Sequence, residues 1–250
     1  MTPPPTEGSL PTALVTGGGT GIGRATSLLL ARRGHPVVVN YNRSADDAAS
    51  CVEAIAAAGG RAVALQADVS DDAAARAMVT DANGQFGPIG VVVSNAGTTE
   101  HLAMDDLEGA TDEIFTRLFA VNVLGAWHTV RAAADDLRAL HGAVVMVGSI
   151  AGDHGVGSSV PYAVSKAALH GLTRSLAHAL APEVRVNTVA PGLVLTRWWD
   201  GMEDRARSLV RGTLTGRPTS PEDVARVIAD VAEAQAMTGQ IVTVDAGQTL

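Results

Sequence analysis

The sequence predicts an α/β fold, a single-domain, doubly wound, seven-stranded parallel sheet flanked by helices. Three observations predict it. From Thr12 onward, short valine-rich runs alternate with longer alanine-rich amphipathic stretches, the pattern of repeated strand-helix units. The runs Val37-Val38-Val39, Val91-Val92-Val93 and Val144-Val145-Met146-Val147 are continuously apolar rather than alternating, as parallel strands covered on both faces should be. The chain has 250 residues, 46% apolar and 18% charged, enough for one sizeable core.

In chain order, the first strand, near 12–16, runs into a glycine-rich turn and an apolar helix near 22–33. A valine strand near 36–41 leads to a helix near 45–58, and a strand near 61–67 to a helix near 71–86. The strand near 89–94 precedes a long helical stretch predicted over 105–139. A strand near 143–148 is followed by a helix over 160–181, with a mobile loop over 152–159 that carries Gly152, Gly155 and Gly157. A strand near 184–190 is followed by an irregular insertion between 193 and 220, of which about 193–215 is expected to close over the site as a lid. Pro221-Glu222-Asp223 opens the last helix, near 221–235, with acids in its first turn. A seventh strand is expected near 240–244. No repeat, linker-like break or charge run divides the chain, so residues 12–250 are expected to form one domain. Residues 1–11, with Pro3, Pro4, Pro5 and Pro11 but no basic or apolar leader region, read as a flexible tail rather than a signal.

Composition excludes several function classes. A net charge of −8 and the lack of a basic block argue against nucleic-acid binding. No apolar run approaches the 18 residues or so of a spanning helix, so no membrane association is expected. The single cysteine, Cys51, lies among apolar neighbours and forms no internal disulfide, which suits a reducing cytoplasm. The histidines show no metal-ligand spacing, and no metal is expected.

Immediately after the first strand comes Thr16-Gly17-Gly18-Gly19-Thr20-Gly21-Ile22-Gly23. In that context glycines permit a tight turn and close backbone approach, and a helix N-terminus offers free amides to a pyrophosphate. The second strand ends in Asn40-Tyr41-Asn42-Arg43-Ser44, with no acid to accept hydrogen bonds from the 2′-hydroxyl of NAD. Arg43 and Ser44 suit the 2′-phosphate of NADP instead, since guanidinium and phosphate match in charge and shape. NADP(H) is therefore favoured over NAD(H), the alternative being that Arg43 is a solvated loop cation.

The one lysine of the chain, Lys166, follows Tyr162, one of two tyrosines, by four positions. On a helix that spacing puts both on one face. A neighbouring cation favours phenolate, and bringing a phenol from ~10 to ~7 takes about 4 kcal/mol, more than one exposed ion pair supplies. The second cation would have to come from a cofactor.

With the glycine turn and the Tyr162/Lys166 pair together, the chain from about residue 10 onward resembles the short-chain dehydrogenase/reductase family, whose members have a Rossmann-type fold. Its motifs Thr-Gly-x-x-x-Gly-x-Gly and Tyr-x-x-x-Lys occur here in family order and distance. The resemblance implies four catalytic residues: Asn122, whose helix backbone holds a water linking the lysine to solvent; Ser149, thirteen residues before Tyr162, which binds the substrate oxygen; Tyr162, the general acid or base; and Lys166. It implies cofactor contacts from Gly17, Gly19, Thr20, Gly21 and Ile22, from Asn40, Arg43 and Ser44, and from Asp68 and Val69 at the adenine. The segment Ser94-Asn95-Ala96-Gly97 is similar to the family's Asn-Asn-Ala-Gly turn, with serine in place of the first asparagine. Pro191, Gly192, Val194 and Thr196 are implied to wrap the nicotinamide, next to Tyr162 and Lys166. The implied activity interconverts a small-molecule ketone and a secondary alcohol by hydride transfer, in a homotetramer or dimer packed through helices near 105–139 and 160–181. Alternatives are an NAD-dependent alcohol or sugar dehydrogenase of the same family, or a non-catalytic nucleotide-sensing protein on the same fold. Trp198, Trp199 and Met202 either line a pocket for a bulky apolar ketone or pack the lid against its own core.

Overall fold

A computed structural model describes residues 10–196 and 212–250. Seven strands form one wholly parallel sheet: β1 (Thr12–Val15), β2 (Val37–Tyr41), β3 (Ala62–Gln66), β4 (Ile89–Ser94), β5 (Ala143–Val147), β6 (Arg185–Pro191) and β7 (Ile241–Val244). Their order is β3-β2-β1-β4-β5-β6-β7. The chain winds outward from β1 to β3, then returns to the other side of β1. Loops leaving the carboxyl ends of β1 and β4 therefore diverge, and in sheets of this kind that divergence opens a binding crevice.

The continuous valine runs have the expected explanation. Ala13, Val15, Val37, Val39, Val91, Val93, Val145 and Val147 point into one apolar layer, while Leu14, Val38, Val92, Val144 and Met146 point into the other. Alternate side chains go to opposite faces and both faces are covered, so every position must be apolar. Helices α1 (Gly21–Arg32), α2 (Ala45–Ala57) and α9 (Pro221–Glu233) cover the first face. Helices α3 (Asp72–Phe86), α5 (Gly125–Ala132) and α8 (Val160–Leu180) cover the second. Fully burying each Val or Leu contributes about 1.5–3 kcal/mol, so these two layers dominate stability.

Helix starts follow local chemistry. Ser159 caps α8 by accepting from the Tyr162 amide at 3.3 Å, with Pro161 in the first turn. Ser220 and Asp223 form a reciprocal capping box on α9. Asp71 caps α3 through the Ala73 and Ala74 amides.

Two expectations need correction. The single helix predicted over 105–139 is four pieces: α4 (Asp112–Phe119), a π-helical turn (Ala120–Leu124), α5, and α6 (Ala134–Ala139). Residues 105–111 are turns, with the Asp106 carboxylate accepting from the Gly109 amide. The widened turn changes which side chains face inward. It buries Asn122, and it sets Gly125 where an added Cβ would lie 2.6 Å from Val69 Cγ2. The loop expected over 152–159 begins inside a helical turn, α7 (Ala151–His154), which Gly155 ends at φ 70°.

Candidate active site

A cleft of about 760 Å³ opens at the carboxyl ends of β1 and β4. Its floor at one end is the glycine turn. Gly17 and Gly21 adopt φ +60° and +50°, and an added Cβ on Gly23 would sit 2.2 Å from the Gly17 carbonyl oxygen. A Cβ on Gly19 would lie 2.9 Å from the backbone of Ala48. Only glycines let strand, turn and helices approach this closely. Thr20 precedes α1 without a side-chain cap, so the first amides of that helix are left to an anion. This donor set fits a pyrophosphate.

The turn is braced from below. The Asn95 side-chain amide donates to the carbonyls of Thr16 (2.9 Å) and Gly17 (3.1 Å), and Thr16 Oγ1 accepts from the Asn95 and Ala96 amides at 3.0 Å. Asn40 braces it from the side. Its Oδ1 accepts from the Gly17 amide at 3.3 Å, while Nδ2 donates to the carbonyls of Leu65 (3.3 Å) and Ala67 (3.1 Å). Asn40 is 2% exposed, so although it borders the cleft its polar atoms serve the protein.

Arg43, Ser44, Asp68 and Val69 line the same end of the cleft. Arg43 is exposed, and among the described residues no hydrogen bond engages its guanidinium. Asp68 accepts from Ser70 Oγ (2.6 Å), the Ser70 amide (2.9 Å) and Asn42 Nδ2 (2.9 Å). Hydrogen bonding from Ser70 above all, helped by Asn42 and nearby Arg43, holds its carboxyl below the ordinary range. Ala96, Gly97, Pro191, Gly192, Val194 and Thr196 line the opposite stretch. Thr196 packs toward Gly21, 3.3 Å from a Cβ built there.

At the centre, Ser149 leaves β5 and Tyr162 and Lys166 stand one turn apart on α8. The Ser149 hydroxyl and the Tyr162 phenol line the same wall of the cleft, close enough for Ser149 to favour the phenolate. Lys166 is 4% exposed, its Nζ donates to the Val147 carbonyl at 2.8 Å, and it lies 5.8 Å from the centre of the Tyr162 ring. The two side chains share one face of α8, as the spacing predicts. Burial pushes the Tyr162 phenol up to about 12, against a smaller opposing effect of the Ser149 hydroxyl, and pushes the Lys166 ammonium down to about 8. In both groups desolvation by burial is the leading cause.

Asn122 is 2% exposed in the π-helical turn. Its Oδ1 accepts from the Thr98 amide (2.8 Å), and Nδ2 donates to the Thr98 carbonyl (3.0 Å) and Ser165 Oγ (3.0 Å). The side chain thus ties the loop after β4 to α8. Both side-chain polar atoms are engaged within the protein, and π-turns of this kind recur at functional sites.

A model of the short chain dehydrogenase family matches residues 11–206. The chain belongs to the short-chain dehydrogenase/reductase family. It is 43% identical over 244 residues, 96% of each chain, to a protein named as a ketoacyl reductase of the granaticin polyketide synthase of Streptomyces violaceoruber. It is 38% identical over 244 residues to an L-rhamnose 1-dehydrogenase (NAD(P)+) of a Sphingomonas species, covering 94% of this chain and 95% of that one. The crystal structure of a short chain dehydrogenase from Burkholderia cenocepacia in complex with NADP superposes with a TM-score of 0.88 at 34% identity, covering 96% of this chain and 98% of that one. The chain is accordingly an NAD(P)-dependent oxidoreductase of this family with its Rossmann-type fold.

The catalytic and cofactor residues expected from the sequence all border one cleft except Asn122, whose side chain is bonded to Thr98 and Ser165. The substrate side adds residues that carry no family signature: His101, Arg117, Val156, Ser158 and Gln248. Thr99 and Ser158 hydroxyls meet at 2.5 Å and the Leu102 amide donates to the Ser158 carbonyl, joining two loops into one wall. Arg117 pairs with Glu100 at 2.5 Å. Gln248 Oε1 accepts from the Leu193 amide at 2.8 Å, bringing the C-terminus to the rim. Contacts between loops far apart in sequence leave no local pattern that could have flagged them. Trp198, Trp199 and Met202 lie outside the described residues. Among the described residues no cluster of His, Cys, Asp or Glu suits a metal ion, and no helix is long and apolar enough to cross a membrane.

Proposed function

We propose that this protein is an NADP(H)-dependent carbonyl reductase and alcohol dehydrogenase that interconverts a ketone and a secondary alcohol. The observation that carries this reading is the convergence of Ser149, Tyr162 and the buried Lys166 on the wall of one cleft whose far end is a glycine cradle. A nicotinamide cofactor, when bound, supplies or takes up the hydride. The backbone from Gly17 to Ile22 would hold its pyrophosphate, Asp68 and Val69 its adenine, and Asn95 to Gly97, Lys166, Pro191, Gly192, Val194 and Thr196 its nicotinamide half. Asn40 contributes indirectly, by bracing Gly17.

Ser149 donates to the substrate oxygen and stabilises the negative charge that develops there. Tyr162, held neutral by burial, gives its proton to that oxygen as the alcohol forms and recovers it through Lys166 and the backbone of the Asn122 turn. The end of β2 supports NADP over NAD. It carries Asn40, Tyr41 and Asn42 rather than an acid, and exposed Arg43 with Ser44 beside it suits a 2′-phosphate. Homo-oligomer packing, as a dimer or tetramer, is supported by exposed Leu124 (47%) and Val164 (43%) beside the cleft helices. The single buried Cys51 suits a cytoplasmic setting.

A panel of ketones with NADPH or NADH, and of alcohols with NADP+ or NAD+, followed by nicotinamide absorbance, tests the proposal. Turnover of at least one ketone with kcat/KM clearly higher for NADPH is expected. Equal or better use of NADH removes the cofactor assignment, and no oxidoreduction of any substrate removes the reaction.

A further inference from the structure

Asp153 and His170 have no part in the machinery described so far, yet they join its two halves. His170 is on α8, four residues after Lys166 and eight after Tyr162, with its side chain 3% exposed. Its Nδ1 lies 3.1 Å from Asp153 Oδ1. An ionised carboxylate only accepts, so Nδ1 carries the proton and donates it. Nε2 is buried and meets no polar partner among the described residues. A buried polar atom left without a partner is unfavourable, and a leucine in its place would avoid that cost. The ring is also wedged between two glycines. An added Cβ on Gly148 would lie 2.6 Å from Nε2, and one on Gly152 would lie 2.7 Å from Cε1.

Those glycines bracket Ser149, Ile150 and Ala151, a tight turn held by its own bonds. The Ala151 amide donates to Ser149 Oγ (3.1 Å), the Gly152 amide to the Ser149 carbonyl (3.0 Å) and the Asp153 amide to the Ile150 carbonyl (3.1 Å). The turn meets α8 at both ends: Ser149 borders the cleft beside Tyr162 at one, and Asp153 is bonded to His170 at the other. We propose that Asp153 and His170 are a positioning pair whose contact sets the Ser149 turn against α8 and so fixes Ser149 Oγ relative to Tyr162. The catalytic consequence rests on the function proposed above; the mechanical one does not.

Two measurements separate them. In hydrogen exchange on the full-length protein, Asp153→Ala should speed exchange of the 151–155 amides about tenfold or more, as expected when a local tie is released. Asp153→Asn, whose amide oxygen still accepts from Nδ1, should restore most of the protection. Unchanged exchange in Asp153→Ala, or no rescue by Asp153→Asn, overturns the proposal. In kinetics with the best ketone of the panel, Asp153→Ala should lower kcat about tenfold with KM for NADPH unaltered, the scale of loss that misplacement of a reacting group brings. In a Ser149→Ala background the same substitution should cost almost nothing further, since the group it positions is gone. Equal losses in both backgrounds overturn the positioning role. Absence of turnover by the wild type is a failure of the proposed function instead, and the exchange measurement still decides the tie.

Discussion

Alanine substitution at Gly23 and at Gly84 should move stability in opposite directions, although both glycines are helical. At Gly23 the new methyl carbon would be 2.2 Å from the Gly17 carbonyl oxygen and 2.5 Å from Asn95 Nδ2. Neither neighbour is a free side-chain end, because one is backbone and the other is hydrogen-bonded to Thr16 and Gly17. Relief requires displacing the turn by about an ångström. Overpacking of this kind costs about 1–3 kcal/mol, and each disturbed Asn95 bond about 0.5–1.5 more. The better helix propensity of alanine returns at most about 1 kcal/mol. A net loss of about 2–4 kcal/mol corresponds, in a chain of this size, to a melting temperature roughly 5–15 °C lower. At Gly84, on α3, an added Cβ meets nothing within 4 Å, so only the propensity gain of about 0.5–1 kcal/mol remains and melting should rise by a few degrees. Thermal unfolding of both variants, with NADPH titrated by nicotinamide fluorescence, decides the matter. A Gly23→Ala protein that melts at or above wild type and binds NADPH normally would refute the reading of this turn as a close-packed cradle.

Tyr162→Phe removes the proton donor while keeping the ring, so turnover should fall about 10²–10⁴-fold with cofactor binding nearly intact, measured by steady-state kinetics beside fluorescence titration. Arg43→Ala should raise KM for NADPH about tenfold or more, the worth of a charged phosphate contact, and leave NADH kinetics almost unaltered. Lys166→Met should raise the melting temperature at pH 7 while abolishing turnover, because charging a buried amine whose pKa is lowered to about 8 costs about 3 kcal/mol. The same group gives wild-type stability a pH slope. Its folded pKa lies below the unfolded 10.5, so the penalty is complete below pH 8 and vanishes as pH rises toward 10.5. Unfolding free energy measured between pH 8 and 10 should therefore climb more steeply in wild type than in Lys166→Met.

The sheet was legible because its signal is local. Each valine run announces a strand buried on both faces, and the seven predicted strands agree with the observed ones to within a residue at either end. The helical stretch over 105–139 was misread for a physical reason. Periodicity reports that a segment is helical and amphipathic, but the break at 120–124 arises from what Asn122 meets, Thr98 and Ser165, which lie 24 and 43 residues away. Asn40 has long-range partners too: its position at the end of β2 puts it at the cleft, as the sequence indicates, but its bonds to Gly17, Leu65 and Ala67 carry no local signal. Tyr162 and Lys166 were placed correctly by helical spacing, but their ionisation depends on burial, which spacing does not encode.

That last point bears on the direction of the reaction. With the phenol at about 12, reaching neutrality takes about 7 kcal/mol rather than the 4 that an ordinary phenol would need. A unit charge 5.8 Å away in a medium of effective dielectric near 20 supplies about 3 kcal/mol, which is what Lys166 can offer at its distance from the ring. A second cation beside the phenol would have to supply the remaining about 4 kcal/mol. The oxidised nicotinamide ring carries such a charge and the reduced ring does not. Tyr162 would therefore keep its proton whenever reduced cofactor is present, ready to donate it to a carbonyl oxygen. It would become a base only beside the oxidised form, ready to take a proton from an alcohol. On this reasoning the burial that opposes ionisation makes the protonation state of Tyr162 follow the redox state of the cofactor, so one side chain serves both directions.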